Sequence, residues 1–330
     1  MRPLSKELIT QYDINIRKYQ YIRSNYYLET NKGRFVLRRV DLPKEQVLFC
    51  YDVDRYVRNN GFNNISSICT TKKNSPYALI GDQYYILQEY IPFEETDFQR
   101  FEDLKNTVSI LAYFHKAARG VESSVRTAEE VRIKNIYEYY IKRKAENGKL
   151  KKSITRLRQK SKFELMFLQD SEAYRQLEDM ALSSISNELV ETLIQKSKQQ
   201  KHVAHKDYTY HTVNKTEEGY YIIGQIDSCN YDIQILDLAQ ILIKIMQKNN
   251  WNYDVLYYLI EEYNRICPLN RDEFKLLKFK LIYPEKYNSI CYKYISSKRR
   301  WNYSMFEQKW ENMLGYKECQ IRVAKMIDSW

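Results

Sequence analysis

The residues with the clearest chemical content run His205-Lys206-Asp207-Tyr208-Thr209-Tyr210-His211-Thr212, followed later by Asp237-Leu238-Ala239. An Asp two residues after a His can orient an attacking hydroxyl and accept its proton. An Asn five residues further on and an Asp on the next strand can then hold Mg²⁺ against nucleotide phosphates. That is the layout of a phosphoryl-transfer site. Here Asp207 stands where the base should be, but the position five residues on is Thr212 rather than Asn. A Thr hydroxyl can ligate Mg²⁺, although it reaches less far than a side-chain amide.

The elements that must position this segment divide unevenly along the chain. Ile14 to Tyr27 is strand-rich, and two β-rich runs flank the Asn31-Lys32-Gly33 turn, a hairpin signal. Lys44 to Asn60 has helical spacing and stops at Gly61, a C-terminal capping glycine. Short strands follow at Tyr77–Leu79 and Tyr84–Tyr90, joined by Gly81-Asp82. Beyond Asp97 helical periodicity dominates: Val108, Leu111, Ala112 and His115 share one stripe that ends at Gly120. Long helices are expected over Tyr137–Lys149, Phe163–Glu191, Leu236–Lys248 and Val255–Cys267, with a β interruption at Tyr220–Asp227. The fold class is α+β in a two-lobed, protein-kinase-like plan. Residues 1–91 form a small β-rich N-lobe of five strands and a helix. Residues 92–330 form a large helical C-lobe holding the catalytic-loop region 203–239.

Composition narrows the function classes. A chain of 330 residues with 44% hydrophobic content has room for two core-bearing lobes. The 31 tyrosines fit amphipathic packing at half-buried positions, with oxidative cross-linking or stacking on a flat ligand as the functional alternative. Of the net charge of +11, most lies between Lys142 and Lys162, where ten Lys or Arg face the single Glu146. A solvated helix face is the first reading of that segment and a patch for an anionic partner the second. No nucleic-acid motif surrounds it, so no nucleic-acid partner is expected. The six cysteines are scattered without a C-x-x-C pair, which fits a reducing compartment rather than a zinc or disulfide framework. The first residues lack the apolar core of a signal peptide, and no run is long enough to span a membrane.

The ordered set of motifs resembles the CotS/CotI/YutH-type spore coat proteins, relatives of the aminoglycoside and choline phosphotransferases. The pieces are Thr30-Asn31-Lys32-Gly33 with Val36-Leu37-Arg38, then Asn60-Gly61-Phe62, Tyr85-Ile86-Leu87-Gln88-Glu89-Tyr90 and Leu111-Ala112-Tyr113-Phe114-His115. The His205 loop and Asp237-Leu238-Ala239 follow, then Tyr283-Pro284-Glu285-Lys286 and Ser297-Lys298-Arg299-Arg300-Trp301. The Tyr-Pro-Glu-Lys piece points to the coat branch rather than to antibiotic kinases.

The resemblance implies a role for each site residue. Asp207 takes the catalytic-base position, with His205 shaping the loop and Asp237 bracing it. Arg38 falls where the lysine for the α- and β-phosphates of ATP belongs; it keeps the charge, but its planar fork is not a point ammonium. Gln88, Glu89 and Tyr90 form the nucleotide-side hinge, and Thr212 stands at the metal-binding Asn. Counting back from Asp237 puts Gln225 at the first acidic position of the family and Asp227 two residues later. On that preferred register the primary metal ligand has become the neutral Gln225. A loop two residues shorter would restore Asp227 to the role.

Replacements at Arg38, Thr212 and Gln225 weaken Mg-ATP binding. The expected function is therefore a degenerate kinase with a structural or interaction role in spore coat assembly, made in the mother-cell cytoplasm and partnered by other coat proteins. The alternative is an active small-molecule or sugar phosphotransferase, with Asp207 as base and ATP and Mg²⁺ as cofactors.

Overall fold

The computed structural model describes residues 4–22, 24–123, 125, 135–297 and 303–330. Contacts gather the chain into two compact units, residues 1–132 with 197–237, and residues 133–196 with 238–330. This division differs from a cut near residue 91. The cause is strand pairing: β7 (Phe93–Glu95) joins β9 (Val213–Thr216), which pairs with β10 (Tyr221–Ile223).

The first unit opens with α1 (Lys6–Ile9), β1 (Ile16–Ile22), β2 (Asn25–Thr30), β3 (Gly33–Val40) and α2 (Lys44–Asn59). Then come β4 (Ile68–Cys69), β5 (Ala78–Ile80), β6 (Gln83–Glu89), β7 and α3 (Phe101–Ala117). After residue 196 it gains β8 (Val203–Ala204), β9, β10 and β11 (Asn230–Tyr231). The main sheet is antiparallel, in the order β1-β2-β3-β6-β4, with β5 added on β6. It has six strands rather than the five expected. The extra strand, β4, is two residues long and too short to show a period.

Strand alternation decides what each face of this sheet does. Phe35 and Leu37 of β3 enter a core with Leu8, Tyr12, Tyr26, Leu28, Ala78 and Leu87. The opposite parity carries Val40 and Ile86 into a second cluster with Val47 of α2 and Ile68, and it is this parity that Arg38 shares. Helix α2 ends as its glycine predicts. Gly61 has φ +83°, its N–H bonds the Arg58 carbonyl, and the Phe62 N–H bonds that of Val57. These two bonds satisfy carbonyls that the helix leaves open.

The second unit is helical: α4 (Ile136–Thr155), α5 (Lys162–Ser183), α6 (Asn187–Gln199), the body of α7 (Ile235–Lys248), and α8 (Tyr253–Ile266). They are followed by α9 (Arg271–Ile282), α10 (Glu285–Ser296), α11 (Tyr303–Leu314) and α12 (Lys317–Asp328). The run expected as one helix over Phe163–Glu191 is two, α5 and α6. The Ser184 hydroxyl donates to the Ala181 carbonyl, and the Ser186 hydroxyl accepts from the Leu189 N–H, so short polar side chains end one helix and start the next.

Much of the tyrosine is packing material here. Tyr174 stacks on Tyr287 at 4.8 Å, and both flank buried Trp310. The Tyr283-Pro284-Glu285-Lys286 motif starts α10, with Pro284 at its N-cap and Glu285 taking bonds from Lys280 and Tyr140. Of the Ser297–Trp301 motif, residues 298–301 lie outside the described residues.

Candidate functional site

The predicted loop residues are held by one buried carboxylate. Asp237, at the start of α7, accepts the His205 N–H at 2.6 Å and the Lys206 N–H at 2.9 Å, and sits 3.0 Å from His115 Nε2. Burial alone would raise its pKa, but the His115 bond and the nearby His205 outweigh it and hold the carboxyl below its usual range. Lys206 is left-handed, with φ +67°, an uncommon conformation for a residue with a side chain. Its ammonium reaches Asp232 at 3.1 Å. The loop is therefore fixed from both sides.

Within that loop His205 is buried, and burial pushes its imidazole towards the neutral form. Its Nδ1 accepts from the Asp207 N–H at 3.3 Å. Nε2 then carries the proton and, buried, has no hydrogen-bond acceptor among the described residues. Asp207 itself is exposed, its carboxylate open to solvent.

Thr212 is spent on its own loop. Its hydroxyl lies 3.1 Å from the Asp207 carbonyl and 3.0 Å from that of Thr209, and it accepts the Thr209 N–H at 2.8 Å. Its one proton goes to these carbonyls and one lone pair takes the Thr209 N–H, so the loop uses all but one lone pair of the hydroxyl.

On the sheet side, Arg38 is nearly buried and forms a two-pronged ion pair with Asp227, Nη1 to Oδ2 and Nη2 to Oδ1, both at 2.5 Å. Its remaining Nε donates to Gln88 Oε1 at 2.7 Å. Fork against fork is the strongest form of such a pair, and lysine cannot reproduce it. Asp227, and not Gln225, is the side chain brought to Arg38; Gln225 lies exposed nearby.

A residue the sequence reading missed completes this region. Gln46 Nε2, on α2, donates to the carbonyls of Asp227 at 3.0 Å and Cys229 at 2.9 Å. One turn later the Cys50 thiol bonds the Ile226 carbonyl at 3.2 Å, and burial with Asp227 nearby pushes that thiol up to about 12. The helix is thus stapled to the Asp227 loop by neutral groups. The only sequence signal was the i, i+4 spacing of Gln46 and Cys50, which does not reveal what they face.

The hinge residues separate by role. Gln88 is buried against Arg38, Glu89 is exposed, and the Tyr90 N–H bonds the Arg34 carbonyl. The Tyr90 ring stands edge-on to Tyr27 at 5.1 Å, and both line a cavity of about 410 Å³ with Glu29, Arg34 and Phe93. A larger cavity of about 810 Å³, bordered by Asn60, Glu102, Tyr113 and Tyr220, includes none of the predicted site residues.

As arranged, these donors fit a hard dication poorly. Both Asp227 oxygens engage Arg38, the Thr212 hydroxyl engages its own backbone, and Gln225 is neutral. Mg²⁺ asks for near-octahedral oxygen ligands.

Sheet, braced loop and helical unit together define a kinase-like phosphotransferase fold. An aminoglycoside phosphotransferase from Alicyclobacillus acidocaldarius superposes with a TM-score of 0.86 at 16% identity, over 99% of this chain and 96% of that one. A spectinomycin phosphotransferase, solved with ADP and spectinomycin, gives 0.60 at 16% identity over the full length of both. The chain belongs to the spore coat putative kinase YutH family, whose profile matches residues 5–325. It is also 23% identical to spore coat protein S of Bacillus subtilis strain 168, over 90% of this chain and 85% of that protein. Among the described residues no helix is long and apolar enough to cross a membrane.

Proposed function

We propose that this chain is a spore coat component made in the mother cell, acting through contacts with other coat proteins, in which the kinase fold has lost phosphoryl transfer. The observation that carries this reading is the Arg38–Asp227 pair. In an active site of this class a cation holds the α- and β-phosphates and an Asp holds the metal. We assign those two positions to Arg38 and Asp227, and here they neutralise each other through two parallel bonds at 2.5 Å. To bind Mg-ATP, Asp227 would have to leave a fork held in place by Gln88, while its loop stays pinned by Gln46. Thr212, its hydroxyl bonded within its own loop, offers at most one neutral lone pair in place of a carboxylate, and charge stabilisation by metal is the main source of rate in this chemistry.

One observation favours the other reading, an active phosphotransferase. Asp207 is exposed on a loop held in shape by Asp237, as a general base would need to be. Calorimetric titration with ATP, with and without Mg²⁺, separates the two. The degenerate reading expects no saturable heat at millimolar nucleotide in either case. Binding that tightens with Mg²⁺ would mean that Asp227 exchanges Arg38 for metal, and the active reading would replace it.

A further inference from the structure

The basic segment resolves into two faces of α4. On one face the cations are matched: Lys144 pairs with Asp179, Lys151 with Glu172 at 3.0 Å, and Arg143 with Glu146 at 2.8 Å. The buried side of the helix, Tyr140, Asn147, Leu150 and Ile154, adjoins these pairs. Opposite lie Lys142, Lys149, Lys152 and Arg156, all exposed and, among the described residues, without an ion-pair partner. At 100° per residue these four fall within an arc of about 80°, and they run for about 21 Å along the axis. Arg158, in the loop that follows, is exposed as well.

Helix electrostatics explain part of this row. Cations favour a helix C-terminus, which accounts for Lys152 and Arg156. It does not account for Lys142 and Lys149, one to three turns earlier. A merely solvated face interleaves both signs, whereas the one acid on this arc is Glu138, a turn before Lys142. Between the cations sits Ala145, and along one edge lies Ile141, an aliphatic side chain 42% exposed.

We propose that this stripe docks an acidic amphipathic helix of a partner protein. The inference deepens the interaction role proposed above and rests on it for the partner being a protein. Ammonium groups at helical spacing match carboxylates at i, i+3, i+7 on a facing helix. Ile141 at the edge gives that helix an apolar contact beside the charges. A nucleic acid would gain nothing from Ile141. The two exposed tyrosines nearby are already taken up, with Arg143 lying 3.8 Å over Tyr292 and 4.9 Å over Tyr139. A bilayer would require more apolar surface on this arc than one isoleucine.

The test uses the full chain and three fluorescent probes. These are a helical peptide of about 16 residues with Glu in register and Leu on one edge, the same composition scrambled, and a DNA duplex of equal charge. The patterned peptide should bind at low salt and weaken by about tenfold between 50 and 300 mM salt. Joint replacement Lys142→Ala, Lys149→Ala, Lys152→Ala and Arg156→Ala should cost about tenfold or more, and the Glu versions of the same four should cost further. Ile141→Ser should weaken the peptide by about threefold and leave DNA unchanged. Equal binding of scrambled peptide, tighter binding of DNA, or indifference to the four replacements would each overturn the proposal. None of these readouts involves nucleotide. Tight Mg-ATP binding would therefore remove the functional reading while leaving the stripe to be judged by its own result.

Discussion

The two ends of the candidate site have been treated differently. At the His205 loop the parts that hold shape are all present: Asp237 takes two backbone N–H groups and His115, and the loop closes on Thr212. At the sheet the parts that would meet phosphate and metal are present only as partners of each other, Arg38 with Asp227. The first end is kept by folding, since an unsatisfied buried donor is costly in any protein of this fold. On the reading proposed above, the second would be kept in its catalytic form only by chemistry. Once chemistry is not demanded, a charge pair that neutralises itself is the more stable arrangement.

The largest effect should come from the shape-holding end. Asp237→Ala takes the acceptor from the buried His205 N–H, the half-buried Lys206 N–H and His115 Nε2, and should cost about 3–5 kcal/mol in urea unfolding. A loss below about 1 kcal/mol would mean that the loop does not depend on this carboxylate.

The second test sharpens the contrast. Arg38→Ala should cost about 1–2 kcal/mol, less than a fully buried pair because water reaches Asp227. Arg38→Lys gives up the fork and restores a point ammonium. If the pair is what silences the site, this variant alone should acquire a calorimetric response to ATP that depends on Mg²⁺. Silence in Arg38→Lys would move the cause to Thr212 and Gln46.

Acid titration gives a smaller effect with a defined sign. The carboxyl of Asp237 is held below its unfolded value of about 3.9, so the stability it contributes is present above that pH and is lost as pH falls through and below it. Burial raises Asp54 against the opposing pull of Arg58, so its contribution runs the other way, present at low pH and lost as pH rises. The two windows lie on opposite sides of about pH 4, so Asp54→Asn should abolish a gain in the unfolding midpoint as pH falls towards 4 and leave the loss below it in place. An unchanged profile above about pH 4 would show that Asp54 carries no such contribution.

The smallest effect is expected at the residue that looks most catalytic. Asp207 is exposed, and Asp207→Ala should alter stability by no more than about 0.5 kcal/mol. It should also leave spore coat assembly intact. Defective coats from this variant, stably folded, would count for the active reading.

What the sequence made legible follows the range of the interactions. The hairpin at Gly33, the glycine stop of α2 and the bracing role of Asp237 were readable, because each rests on local geometry or on a motif with fixed spacing. The partner of Arg38 was not. Asp227 lies 189 residues away, and counting along the chain favoured Gln225 as the position of interest. Gln46 and the Tyr27–Tyr90 contact were hidden for the same reason, since a helix-to-loop contact brings the first to Asp227 and strand pairing, not periodicity, brings the two rings together. The break between α5 and α6 fell in a polar run, Ser183-Ser184-Ile185-Ser186, that helical spacing alone passes over.

Lys206 gives these contrasts a direction in sequence change. Its backbone sits at φ +67°, where glycine is at ease and a β-branched side chain is not. Its amide is bonded to Asp237 and its ammonium to Asp232. Substitution there is open towards glycine and asparagine and closed towards valine, isoleucine or threonine, whether or not phosphate is ever transferred. The loop's outline would thus persist in descendants long after its charges had been free to drift, and a lineage could lose the reaction without losing the shape that once served it.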